Sequence, residues 1–252
     1  MILKLENVKK KLDGQVILPS ISLEINESRI IGLLGPNGSG KTTLLKLIAG
    51  LSRPTFGQLY FEGVPYKYPQ VSWFINYLPD QNIFPTSYTV KQAIEFYKYN
   101  FNDFDLDKML QILTDLQIPT HTSIRNMSKG QQERLLLGLV LSRNSRLLIL
   151  DEPLAAIDVV TRDEILFLLK KYLQRNATII ISTHLIFDMQ DLFDEAIFIN
   201  NGAITMYETV ANIQQKYNMD LLTFYRNYYR LNNNIHQQEM PQPFYDGGGN
   251  NV

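Results

Sequence analysis

Gly35-Pro36-Asn37-Gly38-Ser39-Gly40-Lys41-Thr42-Thr43 decides how this chain reads, because of what stands on either side of it. The apolar run Ile30-Ile31-Gly32-Leu33-Leu34 precedes it, and Leu44-Leu45-Lys46-Leu47-Ile48-Ala49, with helical character, follows. Strand, glycine-rich turn and helix with G-x-x-x-x-G-K-[ST] spacing make a P-loop. Its backbone N–H groups must curl around phosphates, and glycine permits both the angles and the close approach. The helix that follows points its positive end at the same anion. The spacing therefore predicts a nucleoside triphosphate site lined by Gly35 to Thr43. Lys41 would reach the β- and γ-phosphates, and the Thr42 hydroxyl would ligate Mg²⁺.

The bulk composition narrows the classes around that site. With 252 residues and 45% hydrophobic content, the chain can bury a substantial core. It has no cysteine, which excludes disulfides, thiolate metal sites and cysteine nucleophiles. A formal net charge of −1 leaves no general electrostatic footprint for nucleic acid, and no such partner is expected. The best apolar run, Leu135 to Leu141, lies between Arg134 and Arg143 and falls far short of the roughly 20 residues a membrane span needs. Met1 to Glu6 has no secretory layout. The expectation is a cytoplasmic protein that any membrane role would have to reach through another subunit.

Outward from the P-loop, the N-terminal 30 residues alternate polar and apolar, broken at Asp13-Gly14 and Pro19-Ser20, as short antiparallel strands do. Gln58 to Phe61 reads as another strand, and Val71 to Leu78 as a further one with Trp73, Ile75 and Tyr77 on one face. From Thr89 the texture turns helical, over Val90 to Tyr97, Asp105 to Leu116, and Ser128 to about Leu141. Leu147 to Leu150 is a continuous apolar run typical of a buried parallel strand. A helix over Thr161 to Leu173, a strand over Thr178 to Ser182 and a hairpin around Asn201-Gly202 follow. Asp151, closing the apolar run, lies far beyond the roughly thirty residues a plain βαβ unit needs. A helical insertion over about 82–144 accounts for the difference. The tyrosine-rich Phe224 to Tyr229 reads as a docking helix within 218–231, and the polar, glycine-rich 232–252 as a disordered tail.

Asp151 and Glu152 end the buried strand, and adjacent strand residues point to opposite sides. Asp151 suits Mg²⁺, usually through water, and Glu152 suits the general base that polarises the attacking water. Ser128 and Gln131 have capping-box spacing, so Ser128-Lys129-Gly130-Gln131 should open a helix whose N-terminus is a second anion site.

With these pieces together, the chain resembles the ATPase subunits of ABC transporters over about residues 1 to 210. Ser128-Lys129-Gly130-Gln131 looks like the family's signature, with Met127 for its leucine and Lys129 for a glycine, and Asp151 follows Ser128 by 23 positions as the pattern requires. Ala155-Ala156-Ile157-Asp158 resembles the D-loop, and His184 the switch histidine that senses the γ-phosphate. The resemblance implies an α/β fold: a RecA-like P-loop NTPase core, an N-terminal antiparallel β-subdomain and an inserted α-helical subdomain, together over 1–217. It implies ATP and Mg²⁺ as cofactors. A second ATPase subunit, in a homodimer or heterodimer, would receive the signature Ser128 to Gln131 in trans. A polytopic membrane permease would hold the protein on the inner face of the cell membrane.

Two departures from the family pattern stand out. The Q-loop glutamine normally follows strand and proline, but here the order is Leu78-Pro79-Asp80-Gln81. Either Asp80 takes that place or Gln81 is displaced by one; the metal-ligand role is assigned to Gln81. No aromatic residue precedes Phe56, so Leu12 would offer adenine only an apolar contact, implying weak base selection. Tyr77 to Asp80, the variant signature and Val160 to Ile165 look most like bacterial drug- and peptide-exporter ATPases. The rival is a soluble ABC ATPase acting on a macromolecular complex in cluster assembly, translation or repair. A P-loop kinase would leave the signature and His184 unexplained.

Overall fold

The computed structural model describes residues 1–80, 85, 87–155, 157–174 and 176–238, with side chains as far as residue 230. A six-stranded sheet forms its centre, and the strands there are the apolar runs of the sequence. In chain order these are β3 (Ile30–Leu34), β6 (Ile75–Leu78), β7 (Leu147–Asp151), β8 (Thr178–Thr183), β9 (Glu195–Asn200) and β10 (Ala203–Thr209). Across the sheet the order is β10-β9-β3-β8-β7-β6, parallel except for the antiparallel β9–β10 hairpin. β3, β7 and β8 are buried along their whole length because both faces are covered. Period-2 alternation sorts their side chains: Ile31, Leu33, Ile149 and Ile180 enter one core, while Leu34, Leu148, Leu150, Ile179 and Ile181 enter the other.

The first core is closed by the N-terminal strands and by α1 (Lys41–Ile48). β1 (Leu3–Leu12) and β2 (Gln15–Ile25) pair as a hairpin through Asp13-Gly14, both at positive φ, and β4 (Phe56–Phe61) with β5 (Val64–Pro65) extends the antiparallel sheet in the order β2-β1-β4-β5. Pro19 does not break the chain as expected. β2 runs straight through it, because β2 is the edge strand, where a missing N–H costs no ladder bond.

The helical insertion has a core of its own. α2 (Val90–Asn100) starts at a capping box of Thr89 and Gln92, α3 (Leu106–Asp115) at an Asp105 cap, and α4 (Lys129–Leu141) at the box of Ser128 and Gln131. Val90, Ile94, Met109, Leu113, Leu135 and Leu139 pack together there. On its other side α4 turns Leu136, Leu137, Val140 and Leu141 into the core behind the sheet. It is apolar nearly all round because it is shared between two cores. Each fully buried leucine of this kind contributes about 1.5–3 kcal/mol.

The strand expected over Val71 to Leu78 is shorter. Gln70–Trp73 forms a 3₁₀ turn, β6 begins at Ile75, and Trp73 is exposed. Val71 is buried against Gly50, and the Ser72 hydroxyl donates to Pro69 O, so a local turn wins over the ladder. α5 (Val159–Tyr172) starts two residues before Thr161, at the Asp158 cap; α6 (Ile186–Met189) and α7 (Val210–Tyr217) follow.

The C-terminal helix, expected over 218–231, instead runs Leu221–Gln238 as α8, so 232–238 is helical rather than part of a disordered tail. The polar composition after residue 231 removes the means to bury a core, but it includes no helix breaker before Pro241, and a packed helix propagates cheaply.

Candidate nucleotide site

The register of the central strands sets their ends side by side. Leu34 pairs with Thr183 and Asp151 with Ser182, so the P-loop, the acidic pair and His184 leave the sheet at one carboxyl edge. That crevice is where open parallel sheets bind ligands.

The loop itself is tightly seated. Gly35 must be glycine, since a Cβ there would overlap the carbonyl of Ile199. Gly40 has φ 100° and would drive a Cβ to 2.9 Å from Leu18 Cδ2. Ser39 N donates to Pro36 O at 3.2 Å, and Gly202 N donates to Ser39 O at 2.9 Å. The Ser39 hydroxyl is buried and has no partner among the described residues, and Pro36, Asn37 and Gly38 are exposed. Thr43 sits half-buried in the first turn of α1, beside Thr42. A loop with free backbone donors and an orphaned buried hydroxyl fits a polyphosphate.

Lys41 lies across the loop. Its buried ammonium donates to Gly35 O at 2.8 Å and Pro36 O at 3.2 Å, and faces Glu152 Oε1 at 3.6 Å. The Thr42 hydroxyl donates to Asp151 Oδ1 at 3.3 Å. Asp151 is fully buried and collects two more hydroxyls, Ser182 Oγ on Oδ1 at 2.6 Å and Tyr77 Oη on Oδ2 at 3.1 Å. Burial pushes the Asp151 carboxyl up from its ordinary value, the three hydroxyls pull it back, and the charge of Asp80 adds to the rise. Burial, and then the Asp151 carboxylate, push the Tyr77 phenol well up, so it stays a donor.

Among the described residues no cluster of three or more His, Cys, Asp or Glu could hold a metal by itself. Thr42 and Asp151 offer two hard oxygens, which suits Mg²⁺ that takes its remaining ligands from phosphate and water. Gln81 lies outside the described residues. Asp80 is exposed and near enough for its charge to act on Asp151.

Glu152 departs from the expected geometry. β7 ends at Asp151, and Glu152 leaves the strand with φ 51°, so strand alternation does not place its side chain. Its N–H donates to Ser182 O at 3.1 Å and Ser182 Oγ at 3.0 Å, which holds this strained turn. The carboxylate then meets Lys41 on one side and His184 on the other, with Nδ1 at 2.8 Å and the backbone N–H of His184 at 3.2 Å.

Ser182, joining both acids, and Tyr77, joining the Q-loop strand to Asp151, carry no role in the sequence reading. Ser182 had one signal, as a polar residue closing an otherwise apolar strand opposite Asp151. Tyr77 had none.

The signature residues lie apart. Among the described hydrogen bonds, those of Ser128, Gly130 and Gln131 close on the capping box, on Gln132 N and on Arg134, which also pairs with Glu164. Ser128 and Lys129 are exposed, and Lys129 pairs with Glu133 at 3.6 Å. A Cβ on Gly130 would reach 2.6 Å from Thr161 Oγ1, so the signature helix is seated directly on the start of α5. Asp158 caps that helix, and Thr161 N–H and hydroxyl draw its carboxyl below the usual range. Ala156 lies outside the described residues. Leu12 stands 44% exposed beside the β1–β2 turn.

A family model described as ABC transporter matches residues 18–155, more than half of the chain. The ABC transporter ATP-binding protein YtrB of Bacillus subtilis is 32% identical over 218 residues, covering 86% of this chain and 75% of its own length. The spermidine/putrescine import ATP-binding protein PotA of Spiroplasma citri is 36% identical over 222 residues; the chain spans 63% of that relative. A solved ATP-binding subunit of an ABC transporter superposes with TM-score 0.78 at 18% identity, over 90% of this chain and 99% of that one. A dimeric ATP-binding cassette bound to ADP and Pi gives 0.71 at 24% identity, over 82% and 98%. The chain belongs to the ABC transporter family, as an ATP-binding subunit with ATPase activity.

Proposed function

We propose that this subunit binds Mg²⁺-ATP at the carboxyl edge of β3, β7 and β8, hydrolyses it through Glu152 and His184, and thereby drives a polytopic membrane permease as an exporter of drugs, peptides or lipids. The observation that carries the chemistry is the line Lys41–Glu152–His184, in which one carboxylate faces the phosphate-binding ammonium and the histidine together. Phosphates entering the loop compete for Lys41. Once its ammonium turns to them, Glu152 is left with His184 and is free to accept a proton from the attacking water. Thr42 and Asp151, with Gln81 or Asp80, would hold Mg²⁺, which when bound neutralises phosphate charge. The backbone from Gly35 to Thr43 cradles the phosphates, and Leu12 gives the base an apolar contact.

Ser128 to Gln131 would complete the site of a second ATPase subunit. Support for that reading comes from an exposed, capped helix N-terminus whose described bonds stay within its own helix, with Gly130 packed on the start of α5. The export direction rests on Tyr77 to Asp80, the variant signature Ser128-Lys129-Gly130 and Val160 to Ile165. Import has the identity with PotA in its favour. No helix among the described residues is long and apolar enough to cross a membrane.

The test is affinity purification of the full chain from detergent-solubilised native membranes. A multi-span protein should co-purify, and ATP should drive solute out of cells but into inside-out vesicles. Uptake into cells would reverse the direction. Recovery with ribosomes, DNA or an assembly scaffold in the soluble fraction would remove the transport reading.

A further inference from the structure

The tyrosine-rich run of α8 is unaccounted for by the chemistry above, yet it reaches the P-loop. The buried Tyr229 hydroxyl donates to Ile199 O at 3.0 Å and Leu34 O at 3.3 Å. Leu34 is the last residue of β3, and Gly35 opens the phosphate-binding loop. β3 and β9 pair only as far as Leu34 and Phe198; beyond that point two carbonyls converge, and a Cβ on Gly35 would overlap one of them. Converging carbonyls repel, and a shared hydroxyl proton joins them. Burial pushes the Tyr229 phenol well above its ordinary value, so it remains a donor.

α8 is itself firmly anchored. Phe224, Tyr228 and Tyr229 pack on the ring of Phe198 at 5.6, 5.2 and 6.3 Å. At its start, Leu222 N donates to Gln190 Oε1 at 3.2 Å, in the segment that follows His184. The far end of the loop is tied to the same hairpin through Gly202 N and Ser39 O.

We propose that Tyr229 is a positioning residue for the phosphate-binding loop, acting through the carbonyl of Leu34, so that the C-terminal helix sets the affinity for nucleotide. The proposal rests on the nucleotide-site reading. Among the described contacts Tyr229 meets neither Glu152 nor His184, so its hydroxyl should affect binding more than the chemical step. Tyr228 is the matched control, because its hydroxyl donates to Thr205 O on β10, away from the loop.

The experiment compares wild type, Tyr229→Phe and Tyr228→Phe as full chains, by mant-ATP binding, steady-state hydrolysis and amide hydrogen exchange. Tyr229→Phe keeps the ring and is expected to raise the mant-ATP Kd about 5–10-fold while kcat stays within about twofold. Exchange over 35–41 should quicken about tenfold, with α4 unchanged. Tyr228→Phe should match wild type. If Tyr229→Phe binds like wild type, if Tyr228→Phe weakens binding equally, or if Tyr229→Phe fails to fold, the proposal is overturned while the nucleotide site stands. A wild-type chain that binds no mant-ATP overturns both.

Discussion

Leu12 sits beside the turn of the β1–β2 hairpin with nearly half its surface in solvent, and Val16, across the turn, is 55% exposed. Neither side chain has a π face, and an aromatic platform is typically worth about 1–3 kcal/mol to a bound base. ATP and GTP should therefore be hydrolysed with kcat/KM values within about threefold of each other, and Leu12→Tyr should tighten ATP about fivefold or more. Steady-state competition between the two nucleotides measures this; a wild-type preference for ATP above about tenfold would sink it.

α4 and the turn after it join the helical insertion to the sheet, and the joint is an ion pair between a buried arginine and a half-buried aspartate. Arg143, only 4% exposed at its side chain, grips Asp103 with Nε at 2.9 Å and Nη2 at 3.1 Å. It also donates to Trp73 O at 2.9 Å and lies 3.8 Å over the Phe101 ring. Removing one partner strands the other's charge, whereas replacing both with apolar groups does not. Asp103→Ala should cost about 2 kcal/mol, a fall in Tm of roughly 4–8 °C. Asp103→Leu with Arg143→Met should recover most of it. Thermal denaturation of the three variants checks this, and a single variant as stable as wild type would show that the joint lies elsewhere.

At the scale of the whole molecule, each chain carries a P-loop edge and a capped signature helix that do not bond to one another among the described residues. Val159, Val160 and Phe187 are each about 70% exposed near the start of α5 and just after His184. Two copies facing head to tail would cover these groups and bring Ser128 to the partner's phosphates. Glu152→Gln, which should bind ATP without cleaving it, is expected to double its mass in ATP and revert in ADP, by light scattering. Adding Ser128→Glu, a charge aimed at the partner's phosphates, should abolish the doubling. A chain that stays monomeric in ATP would overturn the pairing of two identical copies.

Local chemistry alone determined much of this protein. The P-loop, the cap at Ser128, the hairpin at Asn201-Gly202 and the buried strands are legible because hydrogen-bond capping, glycine's backbone freedom and hydrophobic periodicity act over a few residues. What the tertiary structure decided depends on partners distant in the chain. Pro19 survives inside β2 because β2 is the edge strand of its sheet. Trp73 is expelled because Val71 finds Gly50. Glu152 turns out of its strand because Ser182, thirty residues later, holds its N–H. Tyr77 finds Asp151, and Tyr229 the root of the P-loop, for the same reason: parallel strands far apart in sequence end at one edge, and no spacing rule records which side chains meet there.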